Sequence, residues 1–307
     1  MNAETETFIR DLFTGCSTEP VFLTLTAIHP DGDKPTPSRH VRLGDTVALE
    51  QALSGLHKAN DLGWGAYIGI APRHQDLGRW SRGRKSNLAC LPALFVDIDQ
   101  PDNALIRLGW FDLPASCILH SGRGYHAYWF LDPPTTDFIQ ADKLLHGLAQ
   151  RLNGDAALSV AQSMRLPGTI NTKLGRAHAV CHFVGYHPER RYDLTEFKPF
   201  LPKVLSYTNR RHTWETQERN TAKLSPLALD TLTDAVLYQL EGRWRSNGFI
   251  GALCPLPHLR DRPGMHFSYH AETGWGHCFG KHGKISPMDL EELLGVSVQH
   301  HSSVGAA

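Results

Sequence analysis

Two periods of apolar residues run through the first part of the chain, and each predicts a kind of element. Behind Asp45, which suits a cap, Val47, Leu49, Leu53 and Leu56 recur at roughly helical spacing, so a helix is expected from Asp45 to about Ala59. Ala66-Tyr67-Ile68-Gly69-Ile70 reads as a strand. Between Arg73 and Lys85 the pattern lapses into a polar, Gly-punctuated stretch carrying Arg73, Arg79, Trp80, Arg82, Arg84 and Lys85, expected to be a long, mobile, strongly positive loop. Ala93-Leu94-Phe95-Val96-Asp97-Ile98-Asp99 is apolar up to its acidic end and is stopped by Gln100-Pro101, which predicts a buried central strand.

Ser116–His120 and Tyr125–Leu131 are β-branched and aromatic, and they flank a Ser121-Gly122-Arg123-Gly124 turn. From Thr136 to Asn153 the positions Phe138, Ala141, Leu144, Leu145, Leu148 and Leu152 mark an amphipathic helix that stops at Asn153-Gly154. His178–Tyr186 alternates again. Residues 1–202 thus read as one α+β domain without internal repeats. Residues 203–250 begin polar and basic, with Arg210, Arg211 and Trp214, and then form a helix opened by Ser225-Pro226; they read as a linker and its helix. Residues 251–307, rich in Gly, His and aromatics and with a second Ser-Pro helix start at Ser286-Pro287, read as a small separate module.

Composition narrows the class. With 41% hydrophobic and 20% charged residues in 307, the chain can bury a real core, which argues against disorder. Lys plus Arg and Asp plus Glu are 31 each, so attraction to a polyanion must come from a local patch. No run of about eighteen apolar residues exists, and the acidic start lacks an apolar segment, so a cytoplasmic protein is expected. Six cysteines are too few for a disulfide framework, and only Cys254 and Cys278 keep suggestive company.

Three constellations carry chemistry. Asp97 and Asp99 stand two apart on one strand, so both carboxylates face the same way and repel unless a hard cation such as Mg²⁺ or Mn²⁺ lies between them. Alone, the pair reads equally as an acidic strand end in water. Ser121-Gly122-Arg123-Gly124-Tyr125-His126 offers a close backbone approach at two glycines and donors at Arg123 and His126, although an ordinary hairpin turn would look similar. Neither a dinucleotide fingerprint nor a P-loop is present. Asp155 follows a helix stop, and beyond it Arg165-Leu166-Pro167-Gly168-Thr169-Ile170-Asn171-Thr172-Lys173 brackets a Pro-Gly turn with two phosphate-capable cations. Asp132, Asp137 and Asp142 compete with Asp155 as the third acid.

Taken in order, these pieces resemble the catalytic signature of the archaeo-eukaryotic primase superfamily, in particular the primases and primase-polymerases of mobile genetic elements, over about Gly63 to Tyr186. The resemblance implies an RNA-recognition-like antiparallel or mixed sheet. It implies Asp97, Asp99 and Asp155 as holders of Mg²⁺ or Mn²⁺, and Ser121, Gly122, Arg123, His126, Arg165 and Lys173 around the incoming nucleotide. The activity implied is de novo primer synthesis on single-stranded DNA from nucleoside triphosphates by two-metal nucleotidyl transfer, with a separate replicative helicase as partner and no membrane. A primer-dependent repair polymerase and a non-catalytic, DNA-binding replication initiator are the alternatives.

In the last module, Cys254-x3-His258 and Cys278-x3-His282 are separated by nineteen residues, a soft-ligand set at knuckle-like spacing that suits a structural Zn²⁺ site. His266, His270 and His277 compete as ligands. The segment resembles the zinc-binding domain of bacterial replicative primases, although Cys-x3-His replaces the usual Cys-x2-His and His282 stands where a last Cys is usual. A ribbon too small for its own core is expected to need the metal for folding. The basic loop with Trp80, and Arg210-Arg211 with Trp214, suit phosphate backbones and stacked bases of single-stranded DNA.

Overall fold

Near the amino terminus, Leu23, Leu25 and Ala27 alternate with Thr24 and Thr26, and in the structure, a computed structural model, this segment is a strand whose two faces differ in chemistry. The structure describes residues 2–16, 20–32, 34–155, 158–173, 179–201, 224–245, 248–256, 266–280 and 282–296. Two compact units divide the chain, Met1–Pro202 and Lys203–Ala307.

The first unit runs α1 (Ala3–Leu12), β1 (Phe22–Ile28), β2 (Ser38–Arg42), α2 (Thr46–Asp61), β3 (Gly65–Gly69), β4 (Leu91–Ile98), α3 (Ala104–Gly109), β5 (Cys117–His120), β6 (Tyr125–Thr135), α4 (Phe138–Leu152), β7 (Ser163–Arg165), β8 (His182–Tyr186) and β9 (Arg191–Tyr192). Helix starts fall on short polar side chains that bond the first turn: Asp45 accepts from the Ala48 N–H and Asp137 from that of Gln140, each at 2.9 Å. Two sheets result, a four-stranded antiparallel one ordered β2-β1-β3-β7, and a mixed one ordered β4-β6-β5-β8 to which β9 adds a parallel pairing with β6. Helix α2 packs on the first sheet and α4 on β4 of the second. Phe8 of α1 meets Tyr128 of the second sheet edge to face at 5.2 Å, within one continuous apolar core.

Two expectations change. The β4 strand is buried on nearly every residue, yet it is the terminal strand of its sheet rather than a central one. Its apolar run reflects cover on both faces, not partners on both edges. The basic stretch from Arg73 to Lys85 is a loop, but it is pinned at both ends rather than loose. The Arg73 backbone exchanges hydrogen bonds with Phe22, its fully buried side chain donates to the Ala71 and Arg82 carbonyls, and Lys85 Nζ lies 2.6 Å from Asp142 Oδ2 in the interior. Arg79, Trp80, Arg82 and Arg84 remain at the surface, with the Arg79 guanidinium 5.1 Å from the Trp80 ring centroid.

The second unit contains α5 (Pro226–Gln239), β10 (Arg243–Trp244), β11 (Phe249–Ala252), β12 (Phe267–His270), β13 (Gly276–Cys278), β14 (Gly283–Ile285) and α6 (Pro287–Leu294). Its five strands form one antiparallel sheet in sequence order. Leu232, Val236 and Leu237 of α5 share a core with Ile250, Phe267, Tyr269 and Leu290. The helix read as a linker is therefore structural in this unit, and the unit is more than a ribbon without a core. The linker's Arg210, Arg211 and Trp214 lie outside the described residues.

Candidate active site

The site is assembled around the end of β4. Period-two geometry aims Asp97 to the same face as its cross-strand partner His126 on β6, and His126 Nε2 stands 3.6 Å from Asp97 Oδ1. Asp97 is half-buried, while Asp99, just past the strand, is exposed. Gly124 of the turn before β6 presses on the Ile98 carbonyl, where any Cβ would collide; only glycine brings the turn so close to the Asp99 backbone. On the free edge of β4, Gly154 packs equally tightly on Val96, and the Asp155 N–H donates to the Asp97 carbonyl at 2.8 Å. Asp155 is thereby joined through its backbone to the strand that carries Asp97. Two of its three competitors have other work: Asp137 caps α4, and Asp142 pairs with Lys85 while its second oxygen accepts the Val160 N–H at 2.8 Å.

The remaining segments lock onto this frame. Asn171, buried, donates from Nδ2 to the Ser121 carbonyl at 2.8 Å and accepts the Lys173 N–H at 3.2 Å, and its Cβ would be 2.6 Å from a Cβ on Gly122. Asn60, at the end of α2, exchanges two hydrogen bonds with Ile170. Thr5 of α1 holds the Pro167 carbonyl at 2.6 Å. Sequence reasoning quoted Asn171 only as part of its motif and missed Asn60 and Thr5; a polar residue in the last turn of an amphipathic helix, as Asn60 is, was the one available signal.

The electrostatics are those of an anion receptor beside an acidic edge. Burial first, and then the nearby charges of Arg165 and Lys173, push the His126 imidazole down to about 3. His126 is thus neutral near pH 7, and its approach to Asp97 is not an ion pair. The Tyr128 hydroxyl, kept protonated by burial, lies 3.3 Å from His126 Nδ1, while Nε2 faces Asp97. Arg165, 4% exposed, comes from β7 of the other sheet; its Nη2 donates to the Tyr67 hydroxyl at 2.8 Å, and its buried Nη1 has no partner among the described residues. Arg73 also leaves one nitrogen unbonded, but its others are committed to carbonyls of its own loop. Arg123 is exposed at the turn.

Among the described residues, the only group of three Cys, His, Asp or Glu side chains whose ligand atoms all lie within 4.8 Å of one another is in the second unit: Cys254, Cys278 and His282. Asp97, Asp99 and Asp155 are not gathered that tightly. Cys254 Sγ and His282 Nδ1 are 3.5 Å apart, and ligands on a tetrahedral Zn²⁺ stand about 3.6 Å apart by its usual bond lengths. Soft sulfur and imidazole donors at that separation fit zinc. Burial pushes the Cys254 thiol up to about 11, so loading a metal there releases protons. His258, the fourth candidate, lies outside the described residues. His270 and His277 do not compete. Strand alternation sends them to the face opposite Cys278, where His270 packs on Phe249 and His277 on Phe279, while His266 is outside the group.

Fold and site define a mixed α+β protein with an acidic strand end and a buried guanidinium meeting where two sheets join. No family model matches the chain, and no curated protein matches it. Solved structures similar to it include an archaeo-eukaryotic primase domain and the primase RepB′. The corresponding domain of the cyanophage S-2L primase-polymerase is 19% identical over 65% of this chain and 97% of that one, with a TM-score of 0.47. A structure of the primase RepB′ is 14% identical over 64% of this chain and 60% of that one, at 0.47, and the catalytic domain of RepB′ in complex with initiator DNA is 14% identical over 64% and 91%, at 0.46. Among the described residues, no helix is long and apolar enough to cross a membrane.

Proposed function

We propose that the first unit is a nucleotidyltransferase of the DNA primase or primase-polymerase type, which starts chains on single-stranded DNA from nucleoside triphosphates. The observation that carries this reading is the Arg165 guanidinium, buried with an unpartnered N–H beside a neutral His126 that faces Asp97. A buried guanidinium N–H left without a hydrogen-bond partner is costly unless an anion completes it. An acidic strand end next to it is repelled by that same anion unless a metal intervenes. A polyphosphate with divalent ions satisfies both demands at once. The hard carboxylate oxygens of Asp97, Asp99 and Asp155 suit Mg²⁺ or Mn²⁺, and a pair of ions about 3.5–4 Å apart needs a wider front of ligands than one ion does.

The chemistry supplied by ions held there is activation of a 3′ hydroxyl and neutralisation of charge at the transferred phosphate. The chain's own work is positioning. Arg165 and Lys173 orient the triphosphate tail, the neutral His126 imidazole lies beside it, and the Gly122–Gly124 backbone lets it approach. Exposed Arg79, Arg82 and Trp80 are suited to a template strand. In the second unit, Zn²⁺ on Cys254, Cys278 and His282 would brace the sheet. The face opposite Cys278 bears one row across all five strands, Arg243, Gly251, Ser268, His277 and Lys284, flanked by Phe249 and Phe279, a cationic and aromatic surface fit for single-stranded DNA. A separate helicase would supply the opened template.

The test is incorporation by the full-length protein on unprimed single-stranded DNA with Mg²⁺ or Mn²⁺ and each class of triphosphate. Product without a primer is expected. Asp97→Ala should reduce it by about a hundred- to a thousandfold, the scale of losing one group that stabilises transition-state charge, with the melting temperature unchanged. Product only on primed templates would replace priming by extension, and none under any condition would remove the enzymatic reading.

A further inference from the structure

We infer that Tyr67 is a positioning residue that holds the Arg165 guanidinium open as a receptor for phosphate oxygens; this rests on the nucleotide reading above. One polar row crosses the whole first sheet, because Ser38 pairs with Thr26, Thr26 with Tyr67, and Tyr67 with Arg165, all pointing to one face. Ser38 and Thr26 satisfy each other at 2.9 Å, and in the adjacent row Thr24 meets His40 at 3.0 Å. The β2 end of this buried polar face thus has its partners, His40 Nε2 also meeting the Ser81 carbonyl at 3.0 Å. The β7 end lacks one, among the described residues.

There the Arg165 Cζ stands 4.9 Å from the Tyr67 ring centroid while Nη2 donates to the Tyr67 hydroxyl, so one contact sets the tilt of the guanidinium and the other its rotation. The ring itself lies along Gly65, where a Cβ would come within 2.7 Å of Tyr67 Cε2. The strand carries glycine at the position the ring occupies. With both degrees of freedom fixed, Nη1 is left buried and unpartnered. A carboxylate in place of the phenol would orient Arg165 equally well, but it would neutralise the charge and compete with the ligand. A hydroxyl orients without neutralising. Fixing the group beforehand also spares the entropy that binding would otherwise spend on a flexible arginine.

Isothermal titration of the full-length protein with Mg-ATP and, separately, with inorganic tripolyphosphate tests this. Tyr67→Phe keeps the ring and loses the acceptor; both probes should bind about tenfold more weakly, the scale of one hydrogen bond to a charged group, with an unchanged melting temperature. In turnover the KM for nucleotide should rise while kcat holds. In an Arg165→Met background the same change should add nothing, because Tyr67 acts through Arg165. Unaltered binding by Tyr67→Phe, a loss confined to ATP, or an equal further loss without Arg165 would each overturn the inference while leaving the nucleotide reading standing. An unmodified protein that binds neither probe would remove both.

Discussion

Lys85 and Arg165 are cations taken out of water in the same unit, and the fold completes one of them and not the other. Lys85, at the base of the basic loop, meets Asp142 at 2.6 Å, and the second oxygen of that carboxylate is occupied by the Val160 N–H. Arg165, at the junction of the sheets, receives a hydroxyl and an aromatic face but, among the described residues, no carboxylate. A closed pair ties α4, the loop and the approach to β7 together, whereas an open cation is a demand on something that comes and goes. The difference separates architecture from a binding site more sharply than the residue types do, since both positions look alike in sequence.

That contrast can be broken by mutation. Asp142→Ala removes the carboxylate that faces Lys85 in the interior and should cost about 3–5 kcal/mol of stability, read by denaturant unfolding. A smaller loss would mean that water reaches Lys85. Tripolyphosphate at a hundred times its dissociation constant should stabilise the unmodified protein by about 2.7 kcal/mol and Arg165→Met by much less, by thermal shift at matched ionic strength. Equal shifts would locate the anion elsewhere. Without ligand, Arg165→Met should change stability by less than about 1 kcal/mol in either direction, because the loss of its contacts with Tyr67 is offset by removal of a buried N–H that has no partner among the described residues. A loss as large as that of Asp142→Ala would mean the guanidinium is structurally compensated after all.

The elements that bear the acidic and Ser-Gly motifs were legible because one period governs each of them. Val47 to Leu56 and Phe138 to Leu152 repeat as helices, and β5 and β6 are dense in β-branched and aromatic residues. The motifs were legible too, since glycines with donors and acids with strand ends are local patterns. What sequence hid is the interior's polar side. Thr24 and Thr26 alternate with apolar residues, and Ser38 and His40 with Arg39 as a solvent face would, yet all four are buried, and so β1 and β2 escaped notice, although the strand that carries Tyr67 was read. Arg73 and Lys85 read as solvated because a Gly-rich stretch surrounds them, and burial of a cation depends on a partner such as Asp142, distant in sequence. The α5 helix passed for a connector because its core partners, Phe267 and Tyr269, lie beyond a gap in the hydrophobic pattern.

The placement of β4 at the rim of its sheet has a consequence for solubility. A long apolar rim strand with open amides and carbonyls is a template for aggregation through strand addition. Here the hydrogen bond from the Asp155 amide to the Asp97 carbonyl and the close packing of Gly154 block that rim next to its charged tip. The Gly154-Asp155 backbone therefore also discourages a second molecule from zipping onto β4, so an acidic strand end can be accessible to a long polymer without being adhesive to its own kind.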